Sequence, residues 1–427
     1  MRFSVEVLFF GSLISFIAAA SLEQSQSPGK NVSKEYIIVL KDHLSTNQLL
    51  NHTEWTREVH ARVLRKREEL KQAGGRTSVG LKKIFNTHRF KAYAGSFDTE
   101  TLNEIEKNEN VDYVEEAKSI RLTGMQNDPT NSWSLSTISH RVNKGQNSQD
   151  DAATFKGSYR YDSSAGEGTY AYVIDSGVNV AHNDFEGRAE CGYNALHPES
   201  SSHNDTVGHG THVAGIIASK SYGVAKKAKV ISVKVIDRVE YKRNTASDLL
   251  DGINWAANDI SKKNRSDIAV INLSMAVDYS RAINDALNNA YKLGILSIVA
   301  AGNLNVDVEK ENMSPAMASK AFVVGATAAN NTAWVNSNYG KMVDIMAPGV
   351  QIKSLGIANN DATAVNSGTS MAAPHVAGLV CYLRRLEGPK GPEQVTARLL
   401  QLAQRGVLDE KSLKGSPNVL AFNGSEL

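Results

Sequence analysis

Tyr170-Ala171-Tyr172-Val173-Ile174-Asp175-Ser176-Gly177 is an apolar run closed by an acid and a glycine. A run this short, apolar at every step, reads as a strand buried on both faces. The residues after it repeat the form: 230–235, 268–273, 295–300 and 322–326 are further apolar runs. Helical patterns lie between them at about 210–219, 246–262 and 281–292. Strands alternating with helices predict an α/β unit, a mostly parallel sheet flanked by helices. Chemistry in such sheets gathers at the carboxyl ends of the strands, which is where Asp175 falls.

Upstream, from about 35 to 120, the order is strand, helix, strand pair, helix, strand, beginning with Tyr36-Ile37-Ile38-Val39-Leu40. Thr53 is the expected cap of the first helix, with Trp55, Val59, Val63, Leu64 and Leu70 on one face and Gly74-Gly75 as its stop. Strands over 85–97, a helix over 99–107 and a strand over 111–114 complete a small α+β, ferredoxin-like domain. Residues 125–164 are rich in Asn, Ser, Asp and Gly and read as an exposed linker leading into the larger unit.

The chain of 427 residues, 41% hydrophobic and 22% charged, has the usage of a globular protein. A formal charge of +2 removes the concentrated basic patch that a nucleic-acid or membrane-surface binder needs. Met1-Arg2, the apolar stretch 7–20 and its Ala18-Ala19-Ala20 end read as a secretory signal peptide over 1–20, too short to span a bilayer. No membrane anchor is expected, and the expected location is extracellular. Sequons at Asn31, Asn51, Asn204, Asn264, Asn312, Asn330 and Asn423 accord with export. Asn272 is a formal sequon within an apolar run and is expected to be buried and unmodified. Cys191 and Cys381 are too few for a disulfide scaffold and are expected as two buried thiols.

Three motifs carry candidate chemistry. Asp175 ends a strand, where an acid can orient an imidazole or simply cap a loop. His209 lies in Gly208-His209-Gly210-Thr211-His212-Val213-Ala214-Gly215, and Ser370 in Asn366-Ser367-Gly368-Thr369-Ser370-Met371-Ala372-Ala373-Pro374-His375-Val376-Ala377-Gly378. Singly, a histidine is usually structural and a serine at a helix start usually a cap. Jointly, Asp, His and Ser in that chain order, each in a small-residue motif, form a specific pattern, which is the order known for subtilisin. Over residues 35–422 the chain resembles the subtilisin-like serine proteases, peptidase family S8. Within them it is similar to the secreted fungal proteinase K-like enzymes that carry an inhibitor I9-type propeptide.

That resemblance implies acyl transfer, with His209 taking the Ser370 proton, Ser370 attacking a peptide carbonyl and Asp175 holding the imidazole. Asn303 in Ala300-Ala301-Gly302-Asn303 matches the family's oxyanion donor, although alone it reads as a turn residue. Gly302, Ser274, Met275 and Ala276 match substrate-binding positions. Where the family has Ser-Leu-Gly-Gly, this chain has Ser274-Met275-Ala276-Val277-Asp278, so a narrower pocket with an acidic rim is expected. Glu240-Tyr241-Lys242 replaces a glycine-rich stretch on the opposite wall. No cofactor is implied for catalysis. A structural calcium ion is implied at Asp344 with carbonyls near Ser319 and Ala321, against an even alternative of a plain loop hydrogen bond. His212 lacks the glutamate of a zinc helix and is expected as a packed histidine.

The implied organisation is a signal peptide 1–20, a propeptide 21–126 and a peptidase domain 127–427, with the cut between 124 and 127. The expected partners are protein or peptide substrates and the chain's own propeptide as intramolecular inhibitor, and the enzyme is expected as a monomer. The alternative is a secreted binding protein silenced by the altered pocket. An esterase of the α/β-hydrolase type is disfavoured, since Gly368-Thr369-Ser370-Met371-Ala372 lacks the Gly-x-Ser-x-Gly elbow.

Overall fold

Alternation in the first strand decides how the N-terminal unit packs. β1 (Tyr36–Leu40) turns Ile38 and Leu40 to one face and Ile37 and Val39 to the other, all buried. It is followed by α1 (Thr46–Glu69), β2 (Gly80–Asn86), β3 (Lys91–Ser96), α2 (Thr99–Glu106) and β4 (Val111–Glu116) in the antiparallel order β2-β3-β1-β4. One face packs Ile38, Leu40, Tyr93 and Phe97 against Leu49, Leu102 and Ile105. The computed structural model describes residues 34–69, 79–87, 89–117, 120–121, 132–142, 158–199, 203–237 and 244–425. The signal-peptide stretch, Asn31, Gly74-Gly75, the 124–127 segment and Glu240-Tyr241-Lys242 lie outside them.

Two details of this unit differ from the sequence reading. Ser45 and Gln48 cap α1 reciprocally, side chain to backbone N–H in both directions. Thr53 therefore sits inside the helix, its hydroxyl donating to the Leu50 carbonyl. The strand pair begins at Gly80 rather than residue 85.

After the two-residue strand β5 (Ile120–Arg121) comes α3 (Trp133–Ser139), a helix inside the expected linker. Trp133, Leu135 and Ile138 are buried, and the Trp133 indole N–H donates to the Val350 carbonyl at 3.0 Å. That segment is thus part of the core.

The larger unit continues with β6 (Tyr170–Asp175), β7 (Ala189–Asn194), α4 (His209–Ala218), β8 (Lys229–Lys234), α5 (Ala246–Lys262), β9 (Ala269–Leu273), β10 (Ala276–Asp278), α6 (Arg281–Lys292) and β11 (Leu296–Ala300). Then follow α7 (Val308–Glu311), β12 (Met313–Ser314), β13 (Phe322–Thr327), β14 (Ile345–Pro348), β15 (Ile352–Leu355), β16 (Thr363–Asn366), α8 (Thr369–Leu386), α9 (Gly391–Leu402), β17 (Gln404–Arg405) and β18 (Val419–Leu420). The nine-stranded sheet runs β17-β18-β14-β13-β11-β9-β6-β8-β7, parallel except at β17–β18.

β6 is the strand from which the chain first moves outward to the edge strand β7, returns through β8 and then crosses to β9, so its carboxyl end is a topological switch point. Ala171 and Val173 pack on the face covered by α4 and α8, while Tyr172 and Ile174 face α5 and α6. The second face of the N-terminal sheet, with Ile37, Val39, Phe85, Ala92 and Ala94, joins that latter cluster. Residues 33–427 accordingly hold together as one compact unit.

Polar contacts flank the apolar contact. Lys83 donates to Asp248 at 2.5 Å and to the Ala195 carbonyl at 2.8 Å, and lies 3.5 Å from Asp251. Burial pushes both acids above the usual carboxylate range, with the Lys83 charge opposing it. The Tyr113 hydroxyl donates to Asp285 at 2.8 Å beneath the Arg281 guanidinium, and Glu115 accepts from the Ser280 hydroxyl and the Ala282 N–H at the start of α6. Among the described residues, no helix is long and apolar enough to cross a membrane.

Candidate active site

Asp175 is the last residue of β6, delivered into the core by the strand's apolar run. His209 is the first residue of α4, and Gly208 before it adopts φ +89°, a turn that favours glycine. Ser370 is the second residue of α8, which packs on α4 beneath the sheet. The three side chains are fully buried in the chain with its N-terminal unit in place.

His209 Nδ1 lies 2.8 Å and 3.0 Å from the two Asp175 carboxylate oxygens, and the Ser176 N–H also donates to Asp175 at 2.7 Å. Nδ1 is therefore the donor and Nε2 the basic nitrogen, which has no hydrogen-bond partner. Burial works to lower the His209 pKa, but the Asp175 charge, its hydrogen bond and the Asp205 charge outweigh it, and the net shift is upward. The Ser370 hydroxyl donates to the Ser274 carbonyl at 2.9 Å, and the Ser274 hydroxyl donates to the Ser370 carbonyl at the same distance.

Asn303 follows β11. Its Oδ1 accepts from the Thr369 N–H at 2.9 Å and the Thr369 hydroxyl at 2.7 Å, which ties it to the residue before Ser370. Its Nδ2 is buried without a partner, a preorganised donor beside the start of α8. Gly302 takes φ +105° and donates to the Thr369 hydroxyl at 3.0 Å, and a Cβ there would come within 2.3 Å of the Asn338 amide nitrogen.

Asn338 was not singled out from the sequence, yet it clamps this turn. Its Oδ1 accepts from Leu304 and Val306, and its Nδ2 donates to the Ala301 carbonyl at 3.0 Å. In the polar run Asn336-Ser337-Asn338 nothing marks it as buried. Asp205, the middle residue of the Asn204 sequon, was likewise not singled out from the sequence. It is 8% exposed and sits in the loop that leads into His209.

Met275 and Val277 correct the expected pocket. Both are fully buried in the core facing α5 and α6, because the strand's alternation turns them away from the Ser274 and Ala276 side. The edge of β10 stays open to pairing and takes β5 antiparallel, Ala276 opposite Arg121 and Val277 opposite Ile120. His212 is a packed histidine, with Nε2 near the Ile352 and Ala364 carbonyls at 3.0 and 3.2 Å. Asn272 is fully buried, as expected. Asn423 is a correction, since it is 2% exposed and its amide donates to the Arg160 carbonyl, leaving no room for a sugar. Cys191 is another, because it lies exposed on the edge strand β7 while Cys381 is buried in α8. Asn51, Asn204, Asn264, Asn312 and Asn330 are exposed.

The Asp344 Oδ2 accepts from the Val323 N–H at 2.7 Å, and burial pushes its acid up to about 6. The Ser319 hydroxyl faces Asn288, and the Ala321 N–H donates to the Ala318 carbonyl.

An acid–imidazole pair at a sheet switch point, a serine at a helix start and a free amide donor beside it are the components of a serine hydrolase. The chain belongs to the subtilase family, whose model matches residues 166–420, and the model for peptidase inhibitor I9 matches residues 35–123. It is 45% identical to "Alkaline protease 1" of Aspergillus oryzae over 419 residues, 98% of each chain. It is 40% identical to "Subtilisin-like protease 2" of Arthroderma otae, over 96% of this chain and 95% of that one. The solved structure of a cold-adapted subtilisin-like serine proteinase matches with a TM-score of 0.60 at 34% identity, covering 69% of this chain and 99% of that one. The protein is a serine endopeptidase carrying an I9-type inhibitor domain.

Proposed function

We propose that the protein is secreted as a zymogen, that Ser370 cleaves its own propeptide, and that the mature enzyme hydrolyses peptide bonds in extracellular proteins. The observation that carries this reading is the Asp175–His209 pair with its unpartnered Nε2, buried in the same unit as Ser370 and Asn303. In the reaction the Ser370 hydroxyl leaves the Ser274 carbonyl and gives its proton to His209 Nε2. The oxygen then attacks the peptide carbonyl to form a tetrahedral intermediate, and the imidazolium returns the proton to the departing amine. Water repeats the sequence on the acyl-enzyme. Asp175 holds the tautomer, and the Asn303 amide with the Ser370 backbone N–H takes up the developing negative oxygen.

Asn303→Ala tests that last role in the mature enzyme. Removing a donor of this kind costs on the order of 10² to 10³ in kcat, about 3 to 4 kcal/mol, with KM little changed. A kcat within twofold of the parent would mean that another group stabilises the oxygen.

The propeptide occupies the cleft edge through β5, and this pairing also bears on where it is cut. In an antiparallel pair the residue numbers on the two strands count in opposite directions. A substrate strand in the register of Arg121 on Ala276 therefore meets Ser274, the residue holding the Ser370 hydroxyl, with residue 123. The cleaved bond is thus Thr123–Gly124, at the N-terminal edge of the 124–127 window and three residues ahead of the 126–127 boundary.

The reading includes a calcium ion bound by Asp344 with the carbonyl oxygens of Ser319 and Ala321. The donors fit a hard cation, since Asp344 is a mostly buried carboxylate whose Oδ2 accepts from the Val323 N–H. Calcium at about a hundred times its Kd would add about 2.7 kcal/mol to the stability of the mature enzyme. A calcium-dependent rise in Tm that persists in Asp344→Asn would remove this assignment. Export and glycosylation at the exposed sequons are part of the same proposal, read by deglycosylation of protein from the culture medium.

A further inference from the structure

The loop between β7 and α4 carries a buried carboxylate with no place in the reaction as described. Asp205 Oδ1 accepts from the Ser176 hydroxyl at 2.8 Å, the Val207 N–H at 3.0 Å and the Gly208 N–H at 2.8 Å. Its Oδ2 accepts from the Thr211 N–H at 2.9 Å and the Thr211 hydroxyl at 2.7 Å. These donors lie on two segments. Ser176 directly follows Asp175, whereas Val207, Gly208 and Thr211 flank His209. Ser176 extends the tie, because its oxygen accepts from the Gly210 N–H at 3.0 Å. The two segments touch so closely that a Cβ on Gly210 would fall 2.1 Å from the Gly177 carbonyl oxygen.

We propose that Asp205 is the positioning residue of this active site, fixing the Asp175 and His209 segments against each other and supplying the imidazole with a second negative charge. The inference rests on the triad reading above. Its physical basis is the rigidity of a carboxylate whose two oxygens are shared among five donors, all but the Val207 N–H on buried residues. Such a carboxylate does not reorganise when His209 gains its proton in the transition state, so its charge acts in full at that moment. The upward shift of His209 has Asp205 among its causes, after burial and Asp175. Among the described residues, the other titratable or charged groups around the loop are Lys234, His203, His212, His375 and Asp237. Lys234 donates to the Ser176 and Asn204 carbonyls and pairs with Asp237 at 2.8 Å, while His212 is held neutral by burial.

The test is Asp205→Asn, expressed as the full chain beside the parent and Ser370→Ala and assayed with a chromogenic peptide across pH. Asparagine keeps the shape but removes the charge and turns a donor toward backbone N–H groups. The expected result is a kcat lowered about ten- to a hundredfold, KM within twofold, and the acid limb moved to lower pH. An unchanged kcat, or a lowered kcat with the acid limb unmoved, overturns the proposal. If Asp205→Asn is not secreted, Ser176→Ala carries the test, since it loses one strut and keeps the carboxylate. It is then expected to lower kcat about threefold with the acid limb in place, and parental kcat overturns the proposal. An active Ser370→Ala, by contrast, would remove the triad reading itself.

Discussion

Ser370→Ala, purified as the precursor beside the parent chain, is expected to keep its N-terminal unit while the parent sheds it and begins at Gly124. Peptide hydrolysis is expected to fall by about 10⁶, the magnitude typical of removing a serine protease nucleophile. The physical reason is that no other hydroxyl shares the position of Ser370 at the start of α8, paired with Ser274 and beside the Asn303 donor. Mass and N-terminal sequence of the two purified chains decide the matter. A Ser370→Ala chain that matures unaided would remove Ser370 from the reaction, and a parent beginning elsewhere would overturn the register argument alone.

Asp175→Asn is the second large effect. The amide can present an N–H to Nδ1 where the carboxylate accepted one, which favours the tautomer with its proton on Nε2, unable to take the serine's. A fall in kcat on the order of 10⁴ is expected, as for serine proteases generally. The pH profile carries a separate sign. Burial lowers the His209 pKa and the Asp175 charge raises it, with the upward effects prevailing. His209 must be neutral to act as a base, so activity is present above its raised pKa and lost as pH falls through it. The parent's acid limb therefore lies above 6.5, the ordinary value for histidine. Without the Asp175 charge the limb moves down, and kcat/KM against pH reads the shift. A limb that stays in place would belong to another group.

Much of this arrangement was legible in the sequence where local signals and final structure agree. α5 and α6 match the expected 246–262 and 281–292, because Thr245 with Asp248 and Ser280 supply strong N-terminal caps. The strand carrying Asp175 was equally plain, since an apolar run closed by an acid admits few other readings. α3 was not, because three apolar side chains in seven residues give too little periodicity, and its anchor at Val350 is distant in sequence. The inward turn of Met275 and Val277 depends on the phase of β10, which the family's glycines do not reveal when they are absent. Asp205 and Asn338 are polar loop residues whose burial follows only from the meeting of separate segments. Nothing local distinguishes them from solvated ones.

The shared core between the N-terminal sheet and the face made by α5 and α6 has a consequence for timing. Before the cut, Ile37, Val39, Phe85, Ala92 and Ala94 are tethered to their binding surface at a high effective concentration. If the chain cuts itself as proposed, breaking the tether removes none of these contacts, so the severed piece would remain as a ligand on the enzyme. What changes is the order of the process, since departure becomes a dissociation that dilution favours and crowding in a confined space opposes. On the proposed self-cleavage, the cut would therefore start a clock that is read by volume, and the enzyme would become free to act only as it is diluted.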